Sequence, residues 1–352
     1  MAGKPTIADV ARAAGVSKGL VSFALNDRPG VAVDTKRRIL DTARELGFRP
    51  SLQGRALSTR LAYSVGLVIA RDPDLVAADP FYPPFIAGAE QVLVDAGRTL
   101  TLSMLGPDRD EAALYRALAD DRRVDGVLVG DLRPDDARLP LLAELGLPAV
   151  TIGPNDDPRF PAVVVDDLAG VRATAFHLAD LGHRRIAMIA GPRALEHGAR
   201  RADALRAALG ERGIEPLVIE TDFTPSAAAA ATDRLLDRVD RPTAVVCGND
   251  VAAAAAISRV LRRGLGVPAD VSVCGFDDGE IARWTHPALT TVGTDPTRWG
   301  AAAARALLDL LAGDPPTEVR LEPARLVVRD STGPAPAGSA SPGPAPTGPA
   351  RA

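Results

Sequence analysis

The acidic pairs Asp166-Asp167 and Asp277-Asp278 are the sequence's nearest approach to a general acid–base pair. Each follows a short apolar run, however, and neighbouring residues at a strand end point apart, so they make poor partners at one reacting bond. Gly264-Leu265-Gly266-Val267-Pro268-Ala269 superficially fits a dinucleotide fingerprint. It follows a helical pattern and precedes a strand, the reverse of the required order, and reads instead as a helix C-cap and loop. No nucleophile elbow on a strand-to-helix turn and no P-loop is present. Cys247 and Cys274 stand 27 positions apart and the four histidines are scattered, so neither a disulfide framework nor a metal-ligand cluster is suggested. No enzymatic activity, metal or cofactor is expected.

Two other groups of residues suit recognition. Asp277, Asn249 and Asp166 each follow an apolar run (Val271–Phe276, Ala244–Gly248 and Val163–Val165), which is where open α/β sheets bind ligands. Asp166 and Asp250 also fit helix N-caps, and that reading is preferred for both. Near the N-terminus, Lys18, Gly19, Ser22 and Phe23 fall on the outward strip of a short helix whose inward positions are Leu20, Val21 and Leu25.

The elements that must position these residues follow from the patterning. Thr6-Ile7-Ala8-Asp9 has the form of a capping box opening a helix through Val10 and Ala14, and Gly15 breaks it. Ser17 fits the N-cap of the second helix. A third, about Asp34 to Leu46, puts Ile39, Ala43 and Leu46 on one face. Helix, tight turn, helix and a packing helix make a helix-turn-helix domain, whose second helix enters the DNA major groove by its N-terminal half. From Ser64 onward short apolar runs alternate with amphipathic helical stretches, predicting parallel sheets with helices on both faces. About ten strands over roughly 270 residues fit two sheets better than one.

Charge supports the division. The 352 residues carry a net −4, yet residues 1–62 hold three Lys and eight Arg against five acidic groups, a balance of +6 that leaves −10 on the rest. A basic head on an acidic body suggests that the head meets a polyanion. Residues Gly333–Ala352 contain six Pro, six Ala and four Gly and are expected to be disordered, with no heptad for a coiled coil. No apolar run approaches the roughly 20 residues of a membrane helix. Met1 to Gly15 lacks an apolar stretch flanked by positive charge, so the expectation is a cytoplasmic protein without a secretory signal.

Several ordered blocks carry a resemblance. Thr6-Ile7-Ala8-Asp9-Val10-Ala11, Ala14-Gly15-Val16-Ser17, Val21-Ser22, Leu25-Asn26 and Phe48-Arg49-Pro50 resemble the N-terminus of the lactose-repressor (LacI/GalR) family of bacterial transcription regulators. The similarity continues to about Thr332 through Leu181-Gly182-His183-Arg184-Arg185-Ile186, Gly248-Asn249-Asp250, Gly275-Phe276-Asp277-Asp278 and Leu289-Thr290-Thr291-Val292. It implies an N-terminal all-α helix-turn-helix domain (1–49) and a hinge helix or linker (50–62). An α/β periplasmic-binding-protein-like body of two doubly wound parallel-sheet lobes (63–332) and the tail (333–352) follow. Lobe one is expected at about 63–162 and 292–322, and lobe two at about 163–291 and 323–332.

The resemblance also implies a homodimer on a near-palindromic operator, with repression controlled by a small effector, a sugar above all, bound between the lobes. It places Lys18, Gly19, Ser22 and Phe23 at recognition positions, with Phe23 where some members have Arg. Lys18 can donate to guanine O6 and N7, whereas Phe23 can only touch a thymine methyl or lie on sugar. Thr6, Ser17, Asn26 and Thr35 match phosphate-contact positions, with Ser17 equally readable as a cap alone. Ala32 stands where a capping Ser is usual. Leu57, in the segment Pro50–Ser58, matches the hinge residue that wedges into the minor groove, against the alternative that it packs on the body. Gly54, replacing a commoner Ala, costs that hinge about 1 kcal/mol of helix propensity. In the body, Arg201, Asn249 and Asp277 match effector hydrogen-bonding positions, Phe223 an aromatic face, and Phe81 and Tyr82 residues that close from the first lobe; these two could instead be core, although Pro80, Pro83 and Pro84 place them on a loop. A transport-type solute receptor is the alternative for the body, and the helix-turn-helix head argues against it. An enzyme on the same body is the more remote alternative.

Overall fold

The computed structural model of the chain describes residues 5–26, 28–48, 59, 61–106 and 109–337. The head consists of α1 (Ile7–Ala14), α2 (Lys18–Leu25) and α3 (Val33–Glu45). Its first helix starts on the expected box: the Asp9 carboxylate accepts from the Thr6 N–H at 2.9 Å and from its hydroxyl at 2.7 Å. Gly15 ends the helix in the left-handed region, φ 66°, which glycine enters without a Cβ penalty. Ser17 caps α2 by accepting from the Leu20 N–H at 3.2 Å, whereas Ala32 gives α3 no side-chain cap. The core of the head is Val10, Ala11, Ala14, Val21, Ala24, Ile39 and Ala43. Leu46, expected with Ile39 and Ala43, is instead the C-cap of α3 and exposed, beyond the part of the helix that the head's core covers.

The body alternates strands and helices: β1 (Ser64–Ile69), α4 (Pro73–Ala78), α5 (Tyr82–Asp95), β2 (Thr99–Met104), α6 (Glu111–Asp120), β3 (Gly126–Val129), α7 (Arg138–Glu144), β4 (Ala149–Ile152) and β5 (Ala162–Val164). There follow α8 (Asp167–Asp180), β6 (Ile186–Ala190), α9 (Glu196–Gly210), β7 (Leu217–Glu220), α10 (Pro225–Leu236), β8 (Ala244–Cys247), α11 (Asp250–Arg262), β9 (Ser272–Asp277), α12 (Glu280–Trp284), β10 (Thr290–Gly293), α13 (Pro296–Ala312), β11 (Val319–Arg320) and β12 (Arg325–Val327).

The strands form two six-stranded sheets, β11-β5-β4-β3-β1-β2 and β12-β10-β9-β8-β6-β7. All described pairings are parallel except β10 with β12. Each sheet reverses strand order once, between β1 and β3 in the first lobe and between β6 and β8 in the second. Those switch points are where doubly wound sheets open a crevice beyond the strands' carboxyl ends. The central strands are buried along their length, as parallel strands covered on both faces must be.

The chain crosses between lobes after β5, after β10 and between β11 and β12. The lobe limits therefore shift from those expected. β5 pairs with β4 and belongs wholly to lobe one, while β10 pairs with β9 and belongs wholly to lobe two. In lobe one, α5 and α13 approach closely because Gly88 and Gly300 face backbone: a Cβ there would lie 1.9 Å from Thr297 O and Phe85 O respectively.

The segment expected to be disordered begins inside the body. His183 bonds the Gly333 carbonyl at 3.1 Å, and the Ala335 N–H donates to Leu181 O at 2.9 Å. Residues 333–337 thus lie along lobe two, held by backbone and buried side-chain polar groups that composition does not reveal. Residues 338–352, and the hinge residues Gly54 and Leu57, lie outside the described residues.

Candidate functional site

The carboxyl ends of both sheets face one cleft of about 110 Å³. From lobe one it is lined by Arg71 beyond β1, Asp131 beyond β3, and Phe81 and Tyr82 at the start of α5. From lobe two it receives Asp167 and Arg201, Phe223, Asn249 beyond β8 and Asp277 at the end of β9. The six residues expected at an effector site, Phe81, Tyr82, Arg201, Phe223, Asn249 and Asp277, all line it. Four residues on or beside the cleft adopt left-handed backbone without being glycine: Asp131, Phe223, Asp277 and Asp278, at φ 50°, 69°, 117° and 53°. Strain of this kind is held where the surrounding structure over-determines it, typically at ligand sites.

Each side chain has a physical anchor. Arg201 donates from Nε to Asp167 at 2.7 Å, and its guanidinium carbon lies 3.5 Å from the centre of the Phe276 ring, leaving the terminal nitrogens unbonded to any described residue. Phe223 lies against bare backbone, since a Cβ on Gly191 would sit 1.9 Å from its ring. Its other face stacks on His197, centroids 5.7 Å apart. Burial, with the Arg201 cation next in weight, pushes His197 down to about 3, so it is neutral at neutral pH. The Asp277 side chain makes no hydrogen bond to a described residue. Burial first, then the charges of Asp250 and Asp79, drive its carboxyl well above the usual range. Asp277 is thus an acceptor that the protein itself leaves unused.

Lobe one contributes a network absent from the sequence reading. Arg71 donates to Asp79 at 3.0 Å and to Asp131, whose second oxygen accepts from the Tyr82 hydroxyl at 2.8 Å. Burial pulls Asp131 upward, but the Arg71 charge and the hydrogen bonds outweigh it and hold the carboxyl below its ordinary value. The Arg71 guanidinium also lies 5.6 Å from the Phe223 ring centre, across the cleft, and its Nε is buried without a partner. A second bond between lobes runs from the Glu196 N–H to Leu132 O at 2.8 Å.

Two expectations need correction. Asn249, not Asp250, is the N-cap of α11: its Oδ1 accepts from the Ala252 N–H at 2.8 Å. Its amide nitrogen also reaches Phe223 O at 3.4 Å, so both ends already hold protein. Asp250 stands one residue inside the helix, fully buried, accepting from the Thr291 hydroxyl and from the Gly279 N–H at 2.8 Å. Burial pushes its carboxyl up to about 7. Phe81 and Tyr82 do not lie on a loop, because Pro83 and Pro84 are tolerated in a first helical turn; Phe81 is the N-cap of α5 and Tyr82 its first residue. Asp166, by contrast, caps α8 as expected, accepting from the Ala169 N–H at 3.2 Å.

In the head, Lys18, Gly19 and Phe23 are exposed on one strip of α2, with Ser22 half-buried beside them. Asn26 turns its amide back onto Ser22 O at 2.8 Å, and Thr35 is half-buried in the first turn of α3. Thr6 and Ser17 spend their hydroxyls on caps.

The sequence profile of bacterial regulatory proteins of the lacI family matches residues 6–51, and that of a periplasmic binding protein-like domain matches residues 175–332. The transcriptional regulator CelR of Thermobifida fusca is 35% identical over 338 residues, covering 93% of this chain and 98% of that protein. The chain belongs to the LacI family. AglR of Rhizobium meliloti (strain 1021), another helix-turn-helix regulator, is 36% identical, covering 94% and 95%. Among solved structures, a CelR–cellobiose complex matches with TM-score 0.71 and 32% identity over 93% of this chain and 99% of that one. A lac repressor dimer bound to operator and an anti-inducer matches with TM-score 0.78 and 26% identity, covering 94% and 100%. The protein is accordingly a DNA-binding transcriptional regulator with a helix-turn-helix head and a two-lobed α/β body. Among the described residues no helix is long and apolar enough to cross a membrane.

Proposed function

We propose that this LacI-family regulator is a cytoplasmic repressor whose DNA binding is controlled by a neutral carbohydrate held between the lobes. It binds the sugar without transforming it. The observation that carries the reading is the presence, inside one cleft, of an unpartnered carboxyl group at Asp277 and an incompletely bonded guanidinium at Arg201, flanked by the Phe223 and Phe81 rings. Vicinal hydroxyls both donate and accept, so a sugar satisfies both groups at once, and its C–H face covers an aromatic ring. The cleft's cations are already matched by the protein's own carboxylates, Arg71 by Asp79 and Asp131, Arg201 by Asp167, and Arg200 by Glu196 and Asp167, which disfavours an anionic effector. Cellobiose, the ligand in the related CelR complex, is the first sugar to test.

The acting form is a homodimer on a near-palindromic site. A single helix-turn-helix reads few bases, and two-fold pairing supplies the specificity. Supporting it, the edge strand β2 presents Leu102 and Met104, and lobe two presents Ile281 and Trp284, the latter 79% exposed, all unusually apolar for free surface.

Calorimetry of the full-length protein against cellobiose and other neutral mono- and disaccharides tests the effector class. At least one should bind, and Asp277→Ala should weaken it by at least tenfold, within the roughly 1–3 kcal/mol expected when a buried hydrogen-bonding group is left without its partner. Binding that is unchanged in Asp277→Ala, or confined to anionic ligands, contradicts the assignment.

A further inference from the structure

The polypeptide coming from the head reaches the body at Ala62 and Tyr63, and one carboxylate grips it there. Asp125 accepts from the Ala62 N–H at 2.6 Å through one oxygen and from the Tyr63 N–H at 2.9 Å through the other. The second oxygen also takes the Arg98 guanidinium, whose carbon lies 5.9 Å from the centre of the Tyr63 ring. Both members of that ion pair are largely buried, Asp125 being 5% and Arg98 14% exposed. Tyr63 stands in the left-handed region, φ 55°, and its carbonyl accepts from the Thr99 N–H at 3.1 Å. A residue other than glycine keeps such a conformation only where its surroundings impose it. The joint is therefore held in one geometry, unlike a tether fixed by its covalent bonds alone.

Its place in lobe one gives the grip a consequence. Asp125 directly precedes β3, Tyr63 directly precedes β1, and these two strands are hydrogen-bonded neighbours. The same strands carry Asp131 and Arg71 beyond their carboxyl ends, paired in the cleft. The cleft pair and the linker joint thus stand at opposite ends of one pair of strands. We propose that Asp125 is a positioning residue for DNA recognition, gripping the linker so that the orientation of lobe one dictates where its head stands. A specific site demands a fixed separation and orientation of two heads, whereas scrambled DNA does not. Specific binding alone therefore depends on the joint. The inference rests on the DNA-binding role of the head and on the proposed dimer, and it needs no effector.

Full-length protein is titrated by anisotropy, without sugar, on a tight duplex selected from a random pool and on a scrambled duplex of the same length. Asp125→Asn should weaken the selected duplex by about tenfold, the cost of ordering a freed residue again, and leave the scrambled one unchanged. Tyr63→Gly keeps the ion pair and accepts the left-handed backbone, but frees it to move, and should act in the same direction. Tyr63→Phe keeps the ring beside Arg98 and should retain the parental preference for the selected duplex. A merely structural role would lower the active fraction and so weaken both duplexes alike. Parental affinity for the selected duplex in Asp125→Asn and Tyr63→Gly, or an equal loss on both duplexes, overturns the proposal. Should Asp125→Asn fail to fold, Tyr63→Gly set against Tyr63→Phe decides alone. A parent that sediments as a monomer on the selected duplex removes the dimer reading, and the proposal with it.

Discussion

Arg71 shows how much of the cleft depends on one residue. Its guanidinium neutralises two buried carboxylates of its own lobe and reaches an aromatic ring of the other. Replacing it with Met keeps the volume and removes the charge, stranding Asp79 and Asp131. Breaking a buried pair in this way costs about 3–5 kcal/mol. The sign with pH follows. In the variant both carboxyls are raised in the folded state, so the stability lost is greatest at neutral pH and recovers as the pH falls below the ordinary carboxylate value near 4. Urea unfolding of Arg71→Met at two pH values checks this, and an equal loss at both would show that the charge is not what the residue contributes. Arg71 and Asp131 were legible in principle, because each directly follows an apolar run, Val65–Ala70 and Gly126–Gly130, just as Asp277 follows its own. His197 gave no such signal. It sits one residue inside a helix, and only the Phe223 ring makes it part of the site.

At the scale of elements, the strand ends place the chemistry and the glycines beside them give it room. Gly191 ends the β6 region directly against Phe223. Gly191→Ala should expel that ring from its seat, weaken sugar binding at least tenfold by calorimetry, and leave DNA binding without effector unchanged. Parental sugar affinity would show that the ring's seat is unimportant. The strands β1 to β9 were readable as short apolar runs, continuous where a central strand is buried on both faces, whereas β10 opens on two threonines and shows no such run. β11 and β12 were not, being two and three residues long with partly exposed, Arg-containing sequences. The short helices α4, α7 and α12 span too few residues to show periodicity. Lobe limits slipped by two or three residues because β5 and β10 border crossings, and only their pairing partners decide which sheet owns them. The N-cap of α11 was misassigned between Asn249 and Asp250 since either side chain can cap, and the backbone alone determines which stands outside the helix.

For the whole molecule, the proposed function requires that closing two lobes on a sugar change the geometry offered to the two heads of a dimer. A ligand shifts such an equilibrium only through contacts that differ between arrangements. A cleft whose walls come from both lobes, with Arg71 against Phe223 and Glu196 against Leu132, supplies such contacts. Coupling of this kind is typically about 1–3 kcal/mol, a roughly 5- to 150-fold change in DNA affinity. The direct test selects a tight duplex for the full-length protein from a random pool, then measures its dissociation constant by anisotropy with and without the sugar found by calorimetry. The affinity of the parent should change at least fivefold and that of Asp277→Ala or Arg201→Ala not at all, while both variants should bind the duplex like the parent when no sugar is present. A parent whose DNA affinity is unmoved by a sugar it demonstrably binds, or variants that still respond, would contradict the proposed function.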